Sequence, residues 1–410
     1  MTSSRAVALR ARYVFPVTGD PIRDGTVTIL DDRILALGHD PGGEFRDLGN
    51  VAMLPGLVNA HTPLELSDLA QPLGLPGMGF VDWIQEVIDH RRNRTESAGR
   101  AVAKGLAECA RLGTTAVGEI AQPGWSAEPF REAGLDAIVV LELIALNADR
   151  VREVLALAQS HVNAGQGTGV WHAGVSPHAP YTTMMPLVLG AAVLSSDARV
   201  PLAFHLAESK EEVQFTQSRS GALWDFVLRV VGPDQARYLG RLPERGWVPE
   251  IARAYRALLI HGNYLDEEAM RILASHSDHM AVVYCPRTHA YFGHDPYPLE
   301  AMLRAGVTMA LGTDSRASSP DLSMLAEMRF AAQRHPSVPT STILRMGTRL
   351  AAEALGRAED IGSLSPTKRA DLAIVRLPNR DAADPYELLF DSAEPVVATW
   401  IGGVERRAPA

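Results

Sequence analysis

Cysteine is nearly absent: Cys109 and Cys285 are the only two in 410 residues. That excludes a disulfide framework and any zinc site built on several thiolates. Lysine is almost as scarce, with Lys104, Lys210 and Lys368 alone, so a catalytic or metal-bridging lysine has three positions open to it. Positive charge is in deficit overall. Against 48 Asp and Glu stand 39 Lys and Arg, a net charge of −9, and such a surface does not suit the phosphates of a nucleic acid. Long apolar runs are missing too: Asp136 and Glu142 interrupt the best of them, 133–148, which falls short of the ~18 residues a membrane-spanning helix needs. The first residues pass straight into strand-like alternation with Arg10 and Arg12, leaving no room for the apolar centre of a secretory signal. The expectation is a cytoplasmic protein with neither nucleic acid nor membrane as partner. What remains is ordinary for a globular chain, 46% hydrophobic and 21% charged, which excludes disorder and collagen-like repeats. At ~150 residues per domain the length allows two or three domains, or one large α/β domain with an attachment.

The ends of the chain read as short strands. Residues 7–14, 25–30 and 33–37 are rich in β formers, with Asp31-Asp32 as a turn, and 370–375 and 396–404 look alike. Neither end holds enough strands for a stable sheet alone. Pairing them predicts one small β-sandwich domain from 1–54 plus 357–410. Between them, over 55–356, apolar runs at 56–61, 114–120, 137–146, 172–177, 202–205, 258–261, 280–285 and 308–313 read as buried parallel strands. Helical periodicity fills the spacers, most clearly at 97–112, 149–164, 266–276 and 322–333. Eight strands alternating with helices predict an α/β fold, a (β/α)₈ TIM barrel. An open doubly wound sheet competes, but no Gly-x-Gly-x-x-Gly turn follows an early strand.

A barrel of this kind does its chemistry at the C-terminal ends of its strands. Those ends carry Asn59-Ala-His61-Thr-Pro63-Leu-Glu65, Ser176-Pro-His178, His205-Leu-Ala-Glu208, His261-Gly-Asn263, Arg287-Thr-His289 and Gly312-Thr-Asp314. One histidine in such a place is ordinarily packing. Of thirteen histidines in the chain, four fall at four separate strand ends, joined by a terminal Asp, and that combination points to a site. Imidazole plus carboxylate suits Zn²⁺ or Fe²⁺ rather than Mg²⁺ or Ca²⁺.

On these residues the chain resembles the amidohydrolase superfamily, and within it the metal-dependent aminohydrolases that deaminate rings. The motifs that carry the resemblance are Pro55-Gly-Leu-Val-Asn-Ala-His61, His205-Leu-Ala-Glu208, His261-Gly, Gly312-Thr-Asp314 and a closing Gly362-Ser-Leu-Ser-Pro-Thr-Lys-Arg-Ala-Asp371-Leu-Ala. They span nearly the whole chain in the family's order. More loosely, Thr-Pro-Leu-Glu-Leu-Ser and Cys285-Pro-Arg-Thr-His-Ala-Tyr-Phe are similar to deaminases of aminofutalosine-like or adenosine-like compounds. The resemblance implies one divalent ion, Zn²⁺ before Fe²⁺, held by His61, His205 and Asp314. It implies hydrolytic work by Glu208, His261 and Asp314. The carboxylated strand-four lysine of two-metal relatives has no counterpart, since 171–180 contains no lysine. One departure stands out. The family places a second histidine two residues after the first, and this chain has Pro63, which brings no donor at all. Three ligands and water still complete a catalytic zinc's coordination.

The expected reaction is hydrolysis of a C–N bond, deamination of an amino-substituted heterocycle or nucleoside with release of ammonia. His178, Arg287, His289 and Glu65 are the expected substrate contacts, Arg287 as a fork for an anionic group or as a structural ion pair. Phe80, Trp83, Tyr181 and Tyr291 are expected in loops, against the flat ring or in the core. Two readings compete: a catalytically lapsed member of the fold kept for binding, for which Pro63 is the sequence argument, and a cyclic amide hydrolase. By analogy with other barrels, the expected assembly is a homodimer.

Overall fold

The computed structural model describes residues 6–39, 43–240 and 242–407. Eight parallel strands form the central sheet: Leu57–Thr62, Thr114–Ala121, Asp136–Leu143, His172–Pro177, Pro201–Leu206, Arg256–His261, Met280–Tyr284 and Met309–Leu311. Each coincides with one of the apolar runs read from the sequence. Strands two and three are buried at every position, because a parallel strand here is covered by lumen on one face and helices on the other. That is why they carry no polar alternation.

The first and last strands meet at the seam of the barrel. There Asn59 does the joining: its Oδ1 accepts Thr313 N–H at 3.1 Å and its Nδ2 donates to Thr313 Oγ1 at 2.7 Å, while Asp314 N–H reaches His61 O at 3.1 Å. Gly312 is needed for this approach, since a Cβ there would lie 2.8 Å from His61 O. Val58, Ala60, Ile120, Ile138, Val140, Leu258, Ile260 and Val283 fill the lumen. Helix Arg349–Ala354 closes the N-terminal end with Leu355 and Ile361, and Arg357 pairs with Asp136, the first residue of strand three, at 2.9 Å.

Helices Ala98–Arg111, Ala148–Gly165, Glu267–Ser275 and Met324–Arg334 match the four read from periodicity. Their N-cap side chains Ser97, Asn147, Asp266 and Ser323 each accept the N–H three residues on, which satisfies a donor the helix cannot use internally. The terminal segments make a separate eight-stranded sheet. Val51–Pro55 lies between Val7–Val14, parallel, and Leu372–Arg376, antiparallel, so strands from the two chain ends share hydrogen bonds through it. Leu9, Val27, Ile34, Met53, Leu372 and Trp400 form its core. The short helix Pro385–Phe390 leaves this sheet and buries Leu388, Leu389 and Phe390 in the barrel's helical layer.

Candidate active site

At the C-terminal end of the barrel, three imidazoles converge. One ring nitrogen from each of His61, His205 and His261 lies within 4.8 Å of the others, and the ring centroids are 5.0 to 5.7 Å apart. Local irregularities aim them. In strand one the register slips by a residue between Asn59 and Thr62, a bulge that lets both Ala60 and His61 address the lumen side. In strand six His261 sits at φ 68°, a left-handed conformation that costs a side-chain-bearing residue about 1–2 kcal/mol. Asp314 (φ 57°) and Ala207 (φ 55°), beside Glu208, share it. Strain at strand ends that carry reactive groups is a mark of function.

Hydrogen bonds fix the rings. The His205 ring nitrogen Nδ1 faces His178 O at 3.1 Å, so Nδ1–H donates and Nε2 is left as a lone-pair donor. Both ring nitrogens of His61 are buried without a hydrogen-bond partner among the described residues. Unsatisfied buried imidazole is expensive, and a cation held between His61 and the two rings beside it is an arrangement that relieves it. The residues therefore fit a divalent ion. Asp314 Oδ1 stands 3.6 Å from His61 Nε2 and accepts Ser315 N–H at 2.8 Å, and Ser318 Oγ donates to Oδ2 at 3.2 Å. Burial pushes the Asp314 carboxyl up, but His61 and the Ser315 N–H outweigh it and hold it below the usual carboxylate range. Burial pushes His205 well below the ordinary imidazole value and His261 down to about 3, so both rings are neutral and free to ligate.

Glu208 is the counterpart. Its Oε1 lies 3.4 Å from His261 Nε2. Burial, reinforced by Asp314 and Glu212, raises its carboxyl well above the usual range, the state in which a carboxylic acid can give a proton at neutral pH. The backbone around it is clamped. Glu212 Oε1 and Oε2 accept Ala207 N–H and Glu208 N–H at 2.9 Å each, and Asn263 Nδ2 donates to Glu208 O at 2.7 Å. Sequence reasoning missed Glu212, although Ser209-Lys-Glu-Glu212 has the form of a capping box: Ser209 Oγ accepts Glu212 N–H at 3.1 Å.

The other expected contacts divide. His178 reaches the cluster, its ring 4.8 Å from that of His205, and burial lowers its pKa. His289 supports from behind. Its Nε2 bonds to Asp295 O at 2.9 Å and its ring packs on Tyr284, Tyr297 and His294. Of the two readings of Arg287, the structural ion pair is the one present: Nε donates to Glu327 Oε1 at 2.6 Å and Nη2 to Asp321 Oδ1 at 2.8 Å, so the fork is already closed on two protein carboxylates. Glu65 is engaged by protein cations in the same way. It sits in the 3₁₀ turn Leu64–Leu66 and holds Arg91 at 2.7 Å and Arg94 at 3.2 Å, tying the helix Phe80–Asn93 to the end of strand one. Phe80 and Trp83 open that helix rather than a loop. With Tyr181 and Phe292 they make an aromatic group of ring contacts from 5.2 to 6.2 Å. Tyr181 also touches the His178 ring, at 5.7 Å.

A barrel with this constellation at its mouth is a metal-dependent hydrolase, and residues 52–405 match the model of the Amidohydrolase family. The chain belongs to that family. It is 31% identical over 384 residues to a 5-methylthioadenosine/S-adenosylhomocysteine deaminase of Moorella thermoacetica, covering 88% of this chain and 83% of the relative. An aminodeoxyfutalosine deaminase of Deinococcus radiodurans is 28% identical over 356 residues, 81% of each chain. Among solved structures, the Helicobacter pylori aminofutalosine deaminase in complex with methylthio-coformycin superposes with a TM-score of 0.85 at 21% identity, covering 98% of this chain and all of that one. An adenosine deaminase of Xanthomonas campestris with bound zinc gives 0.77 at 24% identity, covering 97% and 92%.

Proposed function

We propose that this protein is a mononuclear aminohydrolase that deaminates an amino-substituted, nucleoside-like heterocycle, with His61, His205 and His261 as metal ligands and Glu208 and Asp314 as the proton-handling pair. The convergence of three imidazoles between two buried carboxylates of opposite tendency carries this reading. Its relatives are deaminases of such small molecules, and zinc, as in the related adenosine deaminase, is the ion we favour over Fe²⁺. When bound, a divalent ion of this kind lowers the pKa of water from 15.7 toward ~7 and so supplies the nucleophile at neutral pH.

The chain's own residues do the rest. Asp314, kept ionised, accepts the proton of the attacking water at its carboxylate. Glu208, kept protonated by burial, gives its proton to the ring nitrogen beside the attacked carbon; the proton held by Asp314 then passes to the departing amine, which leaves as ammonia, and the hydroxyl proton of the collapsing adduct returns to Glu208. Two carboxyls in environments that drive their pKa values apart divide acid from base in this way. His178, at the edge of the cluster, orients the ring. Assigning His261 to the ligand set answers the proline at position 63: the imidazole that the family supplies two residues after His61 is made up from strand six.

The test is ammonia release from a panel of amino-purines, amino-pyrimidines and their nucleosides, with metal content measured on the same preparation. Stoichiometric zinc and turnover of at least one amine are expected. Protein grown with zinc and iron that purifies metal-free and releases no ammonia would refute the proposal.

A further inference from the structure

The apolar run 133–148 is broken by two acids, Asp136 and Glu142. Both lie in strand three, at opposite ends. Asp136 pairs with Arg357 at the closed end. Glu142 has no such role. Ile138 and Val140 point into the lumen, and side chains on a strand alternate, so Glu142 continues their row at the open end, level with Ser176 of strand four. It is 7% exposed, and a carboxylate that deep without a cation is retained against a desolvation cost.

Its partners are few. Gln122, two residues beyond lumen-facing Ile120, donates Nε2 to Glu142 Oε2 at 2.6 Å. Glu142 Oε1 lies 3.8 Å from His178 Nε2, beyond hydrogen-bond reach. The Thr182 hydroxyl holds His178 Nδ1 at 2.7 Å, so Nε2 is the ring nitrogen turned toward the carboxylate. Glu142 Oε1 and His178 Nε2 therefore face each other across a gap that no hydrogen bond among the described residues closes. His178 is the ring that adjoins His205, so this gap opens beside the metal ligands.

We infer that Glu142, positioned by Gln122, is a specificity-determining residue that with His178 reads hydroxyl groups on the substituent of the substrate ring, one hydroxyl of a vicinal diol donating to Glu142 and its neighbour meeting His178 Nε2. The inference rests on the proposed deaminase reading and deepens it: the substrate is the hydroxylated nucleoside rather than the free or alkylated base. With Arg287 closed on Asp321 and Glu327, no cation from strand seven offsets Glu142, and a carboxylate-bearing substituent in the gap would meet like charge.

Calorimetric binding to the zinc-loaded protein tests this without turnover. The probes are adenosine, cytidine and guanosine, each beside its N-methylated base and its 2′- and 3′-deoxy forms. For whichever base binds, the nucleoside should bind ~10- to 100-fold tighter than the methylated base, the size expected of a hydrogen bond to a charged group, and either deoxy form should lose most of that preference. In Glu142→Gln the preference should fall about tenfold while the methylated base binds as before; Gln122→Met, which removes only the positioning bond, should move it the same way by less. A ratio unchanged in both variants, or no binding of any nucleoside, overturns the assignment. Ammonia release from the same samples is read separately. A hydroxyl preference that depends on Glu142 supports the inference even with no ammonia released, and the deaminase reading alone then fails.

Discussion

Removing the carboxylate of Glu212 tests whether the proton donor works because it is held. Glu212 is fully buried and takes two backbone N–H groups, those of Ala207 and Glu208, at 2.9 Å each. Ala207 is in the left-handed region at φ 55°, so the turn that presents Glu208 stores strain of about 1–2 kcal/mol and relaxes unless its amides are tied. Glu212→Ala leaves two buried donors unsatisfied. At ~1–3 kcal/mol each the loss of stability is ~2–6 kcal/mol, toward the lower end if water enters the space. Glu212→Gln keeps one acceptor and sets an NH₂ against the other N–H, so about half of that is expected. The effect on turnover exceeds what stability alone would give, since a displacement of ~1 Å at a reacting group costs ~10²-fold.

The assay is kcat by ammonia release, with metal content and thermal unfolding on the same samples. Metal should stay bound in Glu212→Gln, because its contacts are to the Glu208 turn and not to an imidazole. The double variant Glu208→Gln/Glu212→Gln gives the sharper outcome. If Glu212 acts through Glu208, the pair loses no more activity than Glu208→Gln does alone. Independent, multiplying losses, or a Glu212→Gln enzyme with parental kcat and melting temperature, would refute the positioning argument.

Other perturbations address the site and the scaffold separately. Glu208→Gln should keep fold and metal yet lose ~10²–10⁴-fold in kcat; activity within a few-fold of the parent removes Glu208 from proton transfer. His205→Ala and His261→Ala should each deplete zinc during dialysis against a chelator, and full occupancy in either variant takes that residue out of the ligand set. Pro63→His should fold, since φ −78° and ψ 91° are open to any L-residue, and should slow metal loss to the same chelator; unchanged retention would mean position 63 does not face the cluster. Burial lifts the Asp371 carboxyl from 3.8 to about 6, and one of its oxygens has no hydrogen-bond partner. A raised carboxyl stabilises the fold only while protonated, so its contribution is full below pH 3.8 and gone above about 6. Asp371→Asn should therefore gain ~2–3 kcal/mol over the parent at pH 8, at ~1.4 kcal/mol per unit of pKa, and nothing at pH 3.5; equal melting curves at pH 8 would rule this out.

The architecture was legible because burial on both faces leaves a strong trace. A strand such as Asp136–Leu143, covered along its whole length, has to be written in apolar residues, and eight such runs spaced by helical repeats admit few folds. The reactive groups were legible for the same reason in reverse, since His61, His205, His261, Glu208 and Asp314 are polar where an apolar run stops. Their grouping was not. Whether His261 ligates or moves protons depends on a positive φ at its own position, and the direction of His61 depends on a bulge; neither leaves a residue type behind, because histidine and aspartate are written the same way whatever their φ. What engages two of the expected contacts was hidden in the same way. Arg287 and Glu65 read as substrate contacts from their place near strand ends, but the groups that claim them stand 26 to 40 residues away in sequence: Arg91 and Arg94 for Glu65, Asp321 and Glu327 for Arg287. A charge looks free in a sequence until its partner is brought to it. Glu142 is the converse. It registered only as an interruption that ruled out a membrane span, yet folding leaves it at the lumen's open end with an amide on one oxygen and no donor on the other. A buried charge that the scaffold does not neutralise is the feature of this barrel that the fold alone does not require, and for that reason it is where the identity of the substrate is to be sought.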